Sequence, residues 1–579
     1  MTGDKLASSQ AGYNSNGQIV VSMSFTSEGQ EQFSEITAEN IGRQLAIVLD
    51  GEIKSAPVIN TAITSDAVIE GITSLEEAND VALVLQTGAL PVNLEIEENK
   101  TVGPSLGKDA LTKGLYAGFI GLILIVIFMI VYYRGLGLIS VINLAVYIII
   151  FWGILAGIGA ALTLPGIAGI ILTIGMAVDA NVIIFERIKE ELKKGKSARM
   201  SINEGFRHGL RTIVDANITT LITAAALYRF GTGPVRGFAV TLSIGVVISM
   251  LTSLVFSRSI IYMLAGFRPV ASPKFLGMWK KRGEYLILRD TNINFVGKRR
   301  IWYFISMAII VAGIVGMLAR GGFNLGIDFL GGSLMEVKFN QEVEVEQIRE
   351  VMTDIGHSNA ILQRTESDQF IIRTTIRDIE TKNEILDALD KGIGVERPPL
   401  QDRNVMPGFG KLITRMALIA MGISILGILI YVWIRFEFRF GAAAILALFH
   451  DVLITLGVYA ILHREINTST IAALLTIIGY SLNDTIVVFD RIRENTVDAN
   501  KIGYGQMVNE SINKTLSRSL NTSFTTLIPV VILLIIGSTA LKDFALALTV
   551  GIITGTYSSI FIASQFLVTW NNRFPKFKK

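Results

Sequence analysis

The sequence contains no cysteine and only four histidines among its 579 residues. The lack of cysteine excludes disulfides, thiol catalysis and thiolate metal sites, and so few histidines disfavour a histidine-rich metal site. Charged residues are also scarce: they make up 17% of the chain, whereas soluble proteins contain about 25%. This low charge favours a membrane protein over a soluble globular one.

Long apolar runs are abundant, and 51% of the residues are hydrophobic, with a mean hydropathy of +0.51. A run of about 20 apolar residues crosses a hydrocarbon core of ~30 Å. Eleven such runs occur, in an order of five, one and five. The pattern predicts a polytopic α-helical membrane protein of two pseudo-symmetric halves, with two extracytoplasmic α+β domains of ferredoxin-like type.

Changes of composition divide the chain into seven segments. In the second polar segment the predicted order of strand, helix, strand, strand and helix suits a ferredoxin-like βαββαβ unit. The predicted segments are a partial first outer domain at 1–110, a five-span bundle at 111–265, a basic linker at 266–300, a single span at 301–319, a second outer domain at 320–410, a second five-span bundle at 411–572 and a basic tail at 573–579.

The distribution of charge predicts the orientation in the membrane. Residues 1–100 contain fifteen acidic and four basic side chains, and residues 321–410 contain sixteen and nine, whereas residues 264–300 contain two and nine. Basic loops near span ends mark the cytoplasmic side. We therefore expect both acidic domains outside and the linker and tail inside. Since no apolar run precedes the first acidic domain, we also expect an upstream segment to be missing from the sequence.

The two bundles are copies of one another. "GMAVDANVIIFERI" at 175–188 is repeated as "GYSLNDTIVVFDRI" at 479–492, and "DANITTLI" at 215–222 as "NTSFTTLI" at 521–528. Self-similarity over so long a period indicates duplication. Because both copies run in the same direction, the halves are expected to be related by an axis along the membrane normal.

Ionisable residues lie within these apolar runs. An ionised carboxylate in the bilayer costs at least ~2.5–3.5 kcal/mol, so such residues are functional by default. We predict a proton relay of Asp179, Asp484 and Arg518, in which Arg518 can pair with Asp484 and Asp179 lies across the pseudo-symmetry axis. The predicted supporting polar residues are Asn181, Asp215, Asn217, His450, Asp451, Asn483 and Thr485.

Other interpretations of these residues stay open at this stage. The carboxylates could simply cap or snorkel near a span end, and their oxygen-rich neighbours could coordinate Na⁺ instead of passing H⁺. Enzyme signatures are absent: the "GKS" at 195–197 lacks the earlier glycine of a phosphate-binding loop, and no HExxH, GxSxG or CxxC motif occurs. We therefore expect no enzymatic activity, no cofactor and no nucleic-acid partner.

The motifs resemble those of the fused SecD–SecF family, membrane subunits of bacterial protein export in the resistance–nodulation–division superfamily. "AIVLDGEIKSAP" at 46–57 and "TVGPSLGKDAL" at 101–111 resemble SecD, as does the first repeated motif. "NLGIDFLGG" at 324–332, "HDVLITLG" at 450–457 and "TLSRSLNTSFTTL" at 515–527 resemble SecF. SecD normally begins with a span and a "GxDLxGG" counterpart ahead of this point, so the resemblance implies a start within the first outer domain.

The resemblance implies a proton-driven auxiliary subunit of the Sec translocase in the bacterial cell membrane. Its outer domains would handle the emerging preprotein, and Asp179, Asp484 and Arg518 would occupy the family's proton-transport positions. The implied partners are the SecYEG translocon, SecA, a YajC-like subunit, the preprotein and the lipid bilayer. The alternatives are a related exporter of lipids or small hydrophobic molecules, and a passive assembly scaffold.

Overall fold

Eleven helices are long and apolar enough to cross a membrane in the part of the chain that the computed structural model describes. The described residues are 5–264 apart from 15, 50, 51, 57, 71, 73 and 88–95, then 272, 275 and 276, and then 291–365, 369–376 and 379–575. The predicted number of spans is therefore confirmed. The linker predicted at 266–300 and the tail at 573–579 lie largely outside the described residues.

The spans are numbered in chain order, and their arrangement of five, one and five follows the predicted duplication. Spans 1 to 5 are Pro104–Tyr133, Gly135–Gly157, Leu164–Lys193, Ala198–Phe230 and Gly233–Leu264; span 6 is Arg299–Ala319; spans 7 to 11 are Pro407–Arg435, Phe438–Leu462, Thr468–Ile502, Tyr504–Ile536 and Thr539–Arg573.

Spans 3, 4, 9 and 10 form the centre of the bundle, and the two halves interlock there. Span 3 packs against span 10 of the other half, and span 9 packs against span 4. The same exchange occurs further out, because span 1 packs against span 10 and span 7 against span 4. Residues on spans 3 and 9 are therefore buried almost throughout their length.

Two repeat-related glycines explain how closely the halves approach. A Cβ atom on Gly175 would lie 2.9 Å from the Cα of Thr526, and one on Gly479 would lie 3.2 Å from the Cα of Thr220. Small residues let helix backbones approach closely in membranes. These glycines begin the two repeated motifs, so each motif places its polar residues directly after a contact between halves.

Residues Met1–Ile96 form a separate compact unit. Its described strands are β1 (Leu6–Tyr13), β2 (Ile19–Phe25), β3 (Ile47–Leu49), β4 (Glu52–Ser55) and β5 (Ala67–Ile69), and its helices are Ser27–Glu39 and Leu75–Thr87. One sheet has the order β1-β2-β5, and β3 pairs with β4. The unit is α+β as predicted, but the order of its described strands differs from the ferredoxin-like order that we expected.

The second soluble domain has the predicted ferredoxin-like pattern. Strands β7 (Gly332–Lys338), β8 (Ile361–Arg364), β9 (Gln369–Thr374) and β10 (Gln401–Val405) alternate with helices Val345–Asp354 and Ile379–Gly392 in the order βαββαβ. All neighbouring strands are antiparallel, in the order β10-β7-β9-β8. Met335, Ile348, Phe370 and Leu389 contribute to the core between the sheet and its helices.

A fifth strand joins this sheet from the other half of the chain. Strand β6 (Glu98–Val102) directly precedes span 1 and pairs antiparallel with β10, which directly precedes span 7. The predicted boundary at residue 110 assigned β6 to the first domain, whereas the structure places β6 in the sheet of the second. Span 1 also begins earlier than predicted, at Pro104 rather than near residue 111. The pairing shows that spans 1 and 7 begin at the same end of the bundle.

Candidate functional site

Asp179 on span 3 lies on the pseudo-symmetry axis between the halves. Its Oδ2 accepts a hydrogen bond of 2.7 Å from Nδ2 of Asn483 on span 9, whereas its Oδ1 has no hydrogen-bond partner in the described part of the chain. Asn483 is the residue that aligns with Asp179 in the repeat. In the second repeat, an amide donor therefore occupies the position at which exact two-fold symmetry would have a second carboxylate.

Asp484, one residue further along span 9, faces spans 10 and 11. Its Oδ2 accepts hydrogen bonds from Ser523 (3.0 Å) and Thr556 (3.2 Å). Only 2% of Asp484 is exposed, so these hydroxyls replace water around the carboxyl group. Asp179 and Asp484 are close enough for their charges to interact, and the two predicted relay carboxylates therefore belong to one site.

Arg518 does not form the direct ion pair with Asp484 that the sequence suggested. Within the described part of the chain, its Nε and Nη2 have no hydrogen-bond partner, although its charge interacts with those of Asp179 and Asp484. The side chain lines a cavity of about 10 Å³ together with Thr212, the residue that aligns with it in the first half. Its position depends on the packing of spans 9 and 10, which the repeat alignment does not specify.

His450 and Asp451 form a second buried cluster that reaches span 9. Nδ1 of His450 lies 2.9 Å from Oδ1 of Asp451, and Nε2 lies 3.1 Å from the Oγ of Ser306 on span 6. The Oδ2 of Asp451 accepts hydrogen bonds from Ser481 (2.5 Å) and Ser558 (2.8 Å). These serines were missed, although Ser481 lies within the second repeated motif.

This cluster lies on two of the helices that carry or contact the relay carboxylates. Ser481 precedes Asp484 by three residues, which is close to one helical turn on span 9. On span 11, Ser558 follows Thr556, the residue that donates to Asp484, by two residues. The two clusters thus share spans 9 and 11, and no side-chain hydrogen bond joins them among the described residues.

The remaining predicted residues lie apart from the relay. Asp215 accepts hydrogen bonds from Tyr431 (2.8 Å) and Arg435 (2.7 Å) of span 7. Asn181 donates to Ser140 of span 2. Asn217 and Thr485 donate to carbonyl groups of their own helices, those of Ile213 and Ser481 respectively. Asp215 therefore joins spans 4 and 7, and Asn217 and Thr485 make no contact with the carboxylates through hydrogen bonds.

The second soluble domain is connected to the beginning of span 9. Within "GIDFLGG", the Oδ2 of Asp328 accepts a 2.7 Å hydrogen bond from the backbone N–H of Thr468, the first residue of span 9. Asp328 also pairs with Arg403 of β10, and Arg403 pairs with Glu98 of β6 at 2.6 Å. Burial opposes the charge of Arg403, but these two carboxylates outweigh burial and raise its pKa.

A second contact joins the loop before span 9 to the same sheet. Glu465 pairs with Arg373 of β9. Burial raises the pKa of Glu465 to about 7. The charge of Arg373 lowers this pKa, and the charge of Asp328 raises it further. Asp543 of span 11 and Arg403 also face this carboxyl group. Glu465 therefore titrates near neutral pH at a junction between the second soluble domain and the membrane bundle.

This pKa predicts a pH-dependent stability. Because the folded carboxyl group retains its proton to a higher pH than its ordinary value of 4.5, the free energy of unfolding decreases as the pH rises from about 5 through 7, by on the order of 2–3 kcal/mol. We expect Glu465→Gln to flatten the decrease in Tm between pH 5.5 and 8 in purified protein. Glu346→Gln, at an exposed helix position, is the control. An unchanged slope in Glu465→Gln would contradict the prediction.

Comparison with known proteins agrees with this architecture. Residues 84–266 and 387–573 match the family described as "Protein export membrane protein SecD/SecF, C-terminal". Residues 1–92 match the "SecDF, P1 head subdomain", and residues 316–343 match the "SecD/SecF GG Motif". Each of the two matches of the first family contains one of the duplicated bundles.

Relatives of known name extend the similarity over nearly the whole chain. The protein translocase subunit SecDF of Thermus thermophilus is 44% identical, over 99% of this chain and 77% of its own length. SecDF of Bacillus subtilis is 40% identical, over 90% of this chain and 72% of its own. These names describe translocase subunits and not enzymes.

A solved structure shares the fold. The crystal structure of SecDF from Thermus thermophilus, titled as a translocon-associated membrane protein, superposes with a TM-score of 0.79 at 44% identity, covering 98% of this chain and 78% of that one. The structure of SecDF in a "Super-membrane-facing form" gives a TM-score of 0.67. Sequence, architecture and interlocked repeats agree, and the chain belongs to the SecD/SecF family of protein export membrane proteins.

Proposed function

We propose that the protein is an auxiliary subunit of the Sec translocase that uses a proton gradient to promote export of preproteins and their release outside the cell membrane. The observation that carries this proposal is the pair of buried carboxylates, Asp179 and Asp484, placed between the two halves near Arg518, whose Nε and Nη2 have no hydrogen-bond partner among the described residues. Buried groups of this kind mark ion pathways in membrane proteins.

The coupling follows from the position of the carboxylates. Protonation of Asp484 changes the charge between spans 9, 10 and 11, and span 9 begins at the outer junction with Asp328. A proton gradient can shift the arrangement of the outer domain only if the two arrangements differ in proton affinity. A carboxyl group between interlocked halves supplies such a difference whenever the halves move relative to each other.

The family and the charge distribution support the remaining parts of the proposal. The soluble domains lie outside the cell membrane and the basic linker lies in the cytoplasm, because an excess of Lys and Arg marks cytoplasmic loops. The partners are SecYEG, SecA, a YajC-like subunit and the emerging preprotein. The coupling ion is H⁺, and Na⁺ is the alternative, because carboxylate and hydroxyl oxygens surround the site.

The test is preprotein release in membrane vesicles that contain the wild-type chain or Arg518→Ala. We expect a proton gradient to accelerate release with the wild type and to have little effect with the variant, since the cation near both carboxylates is lost. Equal acceleration in both would overturn the role of Arg518. Acceleration by a sodium gradient alone would replace H⁺ by Na⁺, and efflux of lipid without an effect on release would favour an exporter.

A further inference from the structure

Four charged side chains of spans 3 and 9 form a closed ring of ion pairs, called here the Arg–Glu ring. Going around the ring, Arg187 pairs with Glu190 (2.8 Å), Glu190 with Arg491 (3.1 Å), Arg491 with Glu494 (2.9 Å) and Glu494 with Arg187 (2.7 Å). Two of these ion pairs lie within a span, and the other two cross between the halves.

The ring follows the repeat. Arg491 aligns with Arg187, and Glu494 aligns with Glu190, with the same spacing that relates Asp179 to Asn483. Each span presents an arginine and, three residues later, a glutamate. Two-fold symmetry therefore brings the arginine of one half against the glutamate of the other. Alternation of charge makes this contact attractive in both directions across the axis.

The ring has little justification as a stabilising element alone. The side chains of Arg187 and Arg491 are only 9% and 10% exposed, whereas that of Glu494 is 40% exposed, so the desolvation cost falls mainly on the two arginines. Buried ion pairs can often be replaced by apolar residues with equal or greater stability. A symmetric ring that joins the two halves and has one glutamate in solvent is suited to a contact that opens and closes.

Its position fits that explanation. Arg187 and Arg491 follow Asp179 and Asp484 by about two helical turns, or ~11–12 Å along the spans, toward the end of the bundle that faces away from the sheets. Arg187 and Glu494 line both the small cavity that contains Arg518 and an open vestibule of about 300 Å³. The small cavity, about 10 Å³, has room for about one water molecule.

We propose that the Arg–Glu ring is the cytoplasmic gate of the ion pathway. Closed as in this structure, it separates the vestibule from Arg518 and the relay carboxylates, and it opens when spans 3 and 9 separate at this end. The direction of transport rests on the proposed function. The gate itself is tested by access to the cavity, which requires neither preprotein nor a gradient.

The sequence contains no cysteine, so a single reporter thiol can be introduced directly. Thr515→Cys suits this purpose, because Thr515 lines the small cavity and, among the described residues, its hydroxyl donates only to carbonyl groups of its own helix, at Ser511 and Ile512. The measurement is the rate at which a membrane-impermeant methanethiosulfonate reagent labels the full chain in inverted membrane vesicles, where the cytoplasmic face is accessible.

Charge reversal within one span provides the decisive variant. Arg187→Glu with Glu190→Arg keeps the pair within span 3 and the net charge, but it places like charges opposite each other in both cross-span contacts. We expect labelling to become roughly tenfold faster, which corresponds to about 1.4 kcal/mol in the opening equilibrium. Arg491→Glu with Glu494→Arg should have the same effect. The quadruple reversal restores all four attractive pairs and should return labelling to the slow rate.

Two outcomes would overturn the gate: equal labelling in all four proteins, or a quadruple reversal that labels as fast as either double reversal. If a reversal prevents folding, Glu190→Gln with Glu494→Gln gives a milder test, because it keeps the side-chain shapes and removes both negative charges; unchanged labelling there also contradicts the proposal. Slow labelling that responds to the ring, combined with gradient-independent export, would support the gate while overturning the proposed function.

Discussion

Replacement of Asp484 by asparagine is expected to remove the response of preprotein release to a proton gradient while leaving the fold intact. The asparagine side-chain oxygen can still accept hydrogen bonds from Ser523 and Thr556, as the carboxyl oxygen does in the wild type. The variant therefore keeps the packing of spans 9, 10 and 11. It loses only the capacity to bind and release a proton.

The size of the effect follows from the energy that the gradient supplies. A potential of 100 mV is worth about 2.3 kcal/mol for each charge that crosses the membrane, which corresponds to a bias of about 50-fold in an equilibrium. If one proton moves for each conformational cycle, Asp484→Asn should lower gradient-driven release by roughly tenfold or more. The measurement is the initial rate of release in vesicles with and without the gradient.

Asp109→Asn is the matched control, because it removes a carboxylate from span 1 at an exposed position where Asp109 pairs with Lys113. Release with this variant should respond to the gradient as in the wild type. Thermal unfolding should be similar in all three proteins. Retention of the full gradient response in a folded Asp484→Asn protein would show that Asp484 does not carry the coupling proton.

Much of the membrane architecture could be predicted because it depends on local patterns. Apolar runs of sufficient length specify the spans, and the βαββαβ order of the second domain is visible within 332–405. The contact between Asp179 and Asn483 also follows from the repeat, since equivalent positions on duplicated helices meet at the axis. The shift of the carboxylate to Asp484 could be read directly from the aligned motifs.

The contacts that connect distant segments could not be predicted in the same way. Strand β6 has the polar sequence "ENKTV" and pairs with β10 about 300 residues later, and neither strand shows the clear alternation that would reveal a buried face. Arg518 was expected to face Asp484 because both lie at similar depth. Depth alone does not determine rotation about the helix axis, and this rotation places Arg518 toward Thr212 instead.

The largest expected effect on stability is that of Asp328→Ala. Asp328 is 1% exposed and accepts the backbone N–H of Thr468 at the start of span 9 while pairing with Arg403. When the Asp328 carboxylate is removed, Arg403 keeps one paired carboxylate among the described residues, that of Glu98. Loss of one partner from a buried ion pair typically costs about 3–5 kcal/mol, so the purified variant should unfold at a clearly lower temperature.

Two further variants separate the roles of Asp328. Asp328→Asn keeps an acceptor for the N–H of Thr468 but loses the charge opposite Arg403, so its Tm should lie between those of the wild type and Asp328→Ala. Asp387→Ala removes an exposed ion pair with Arg397, where the loss should be at most ~1 kcal/mol. Equal unfolding temperatures for Asp328→Ala and Asp387→Ala would contradict the assignment.

Because Asp328 connects the sheet to span 9, gradient-driven release should also decline in Asp328→Asn, although every relay carboxylate is retained.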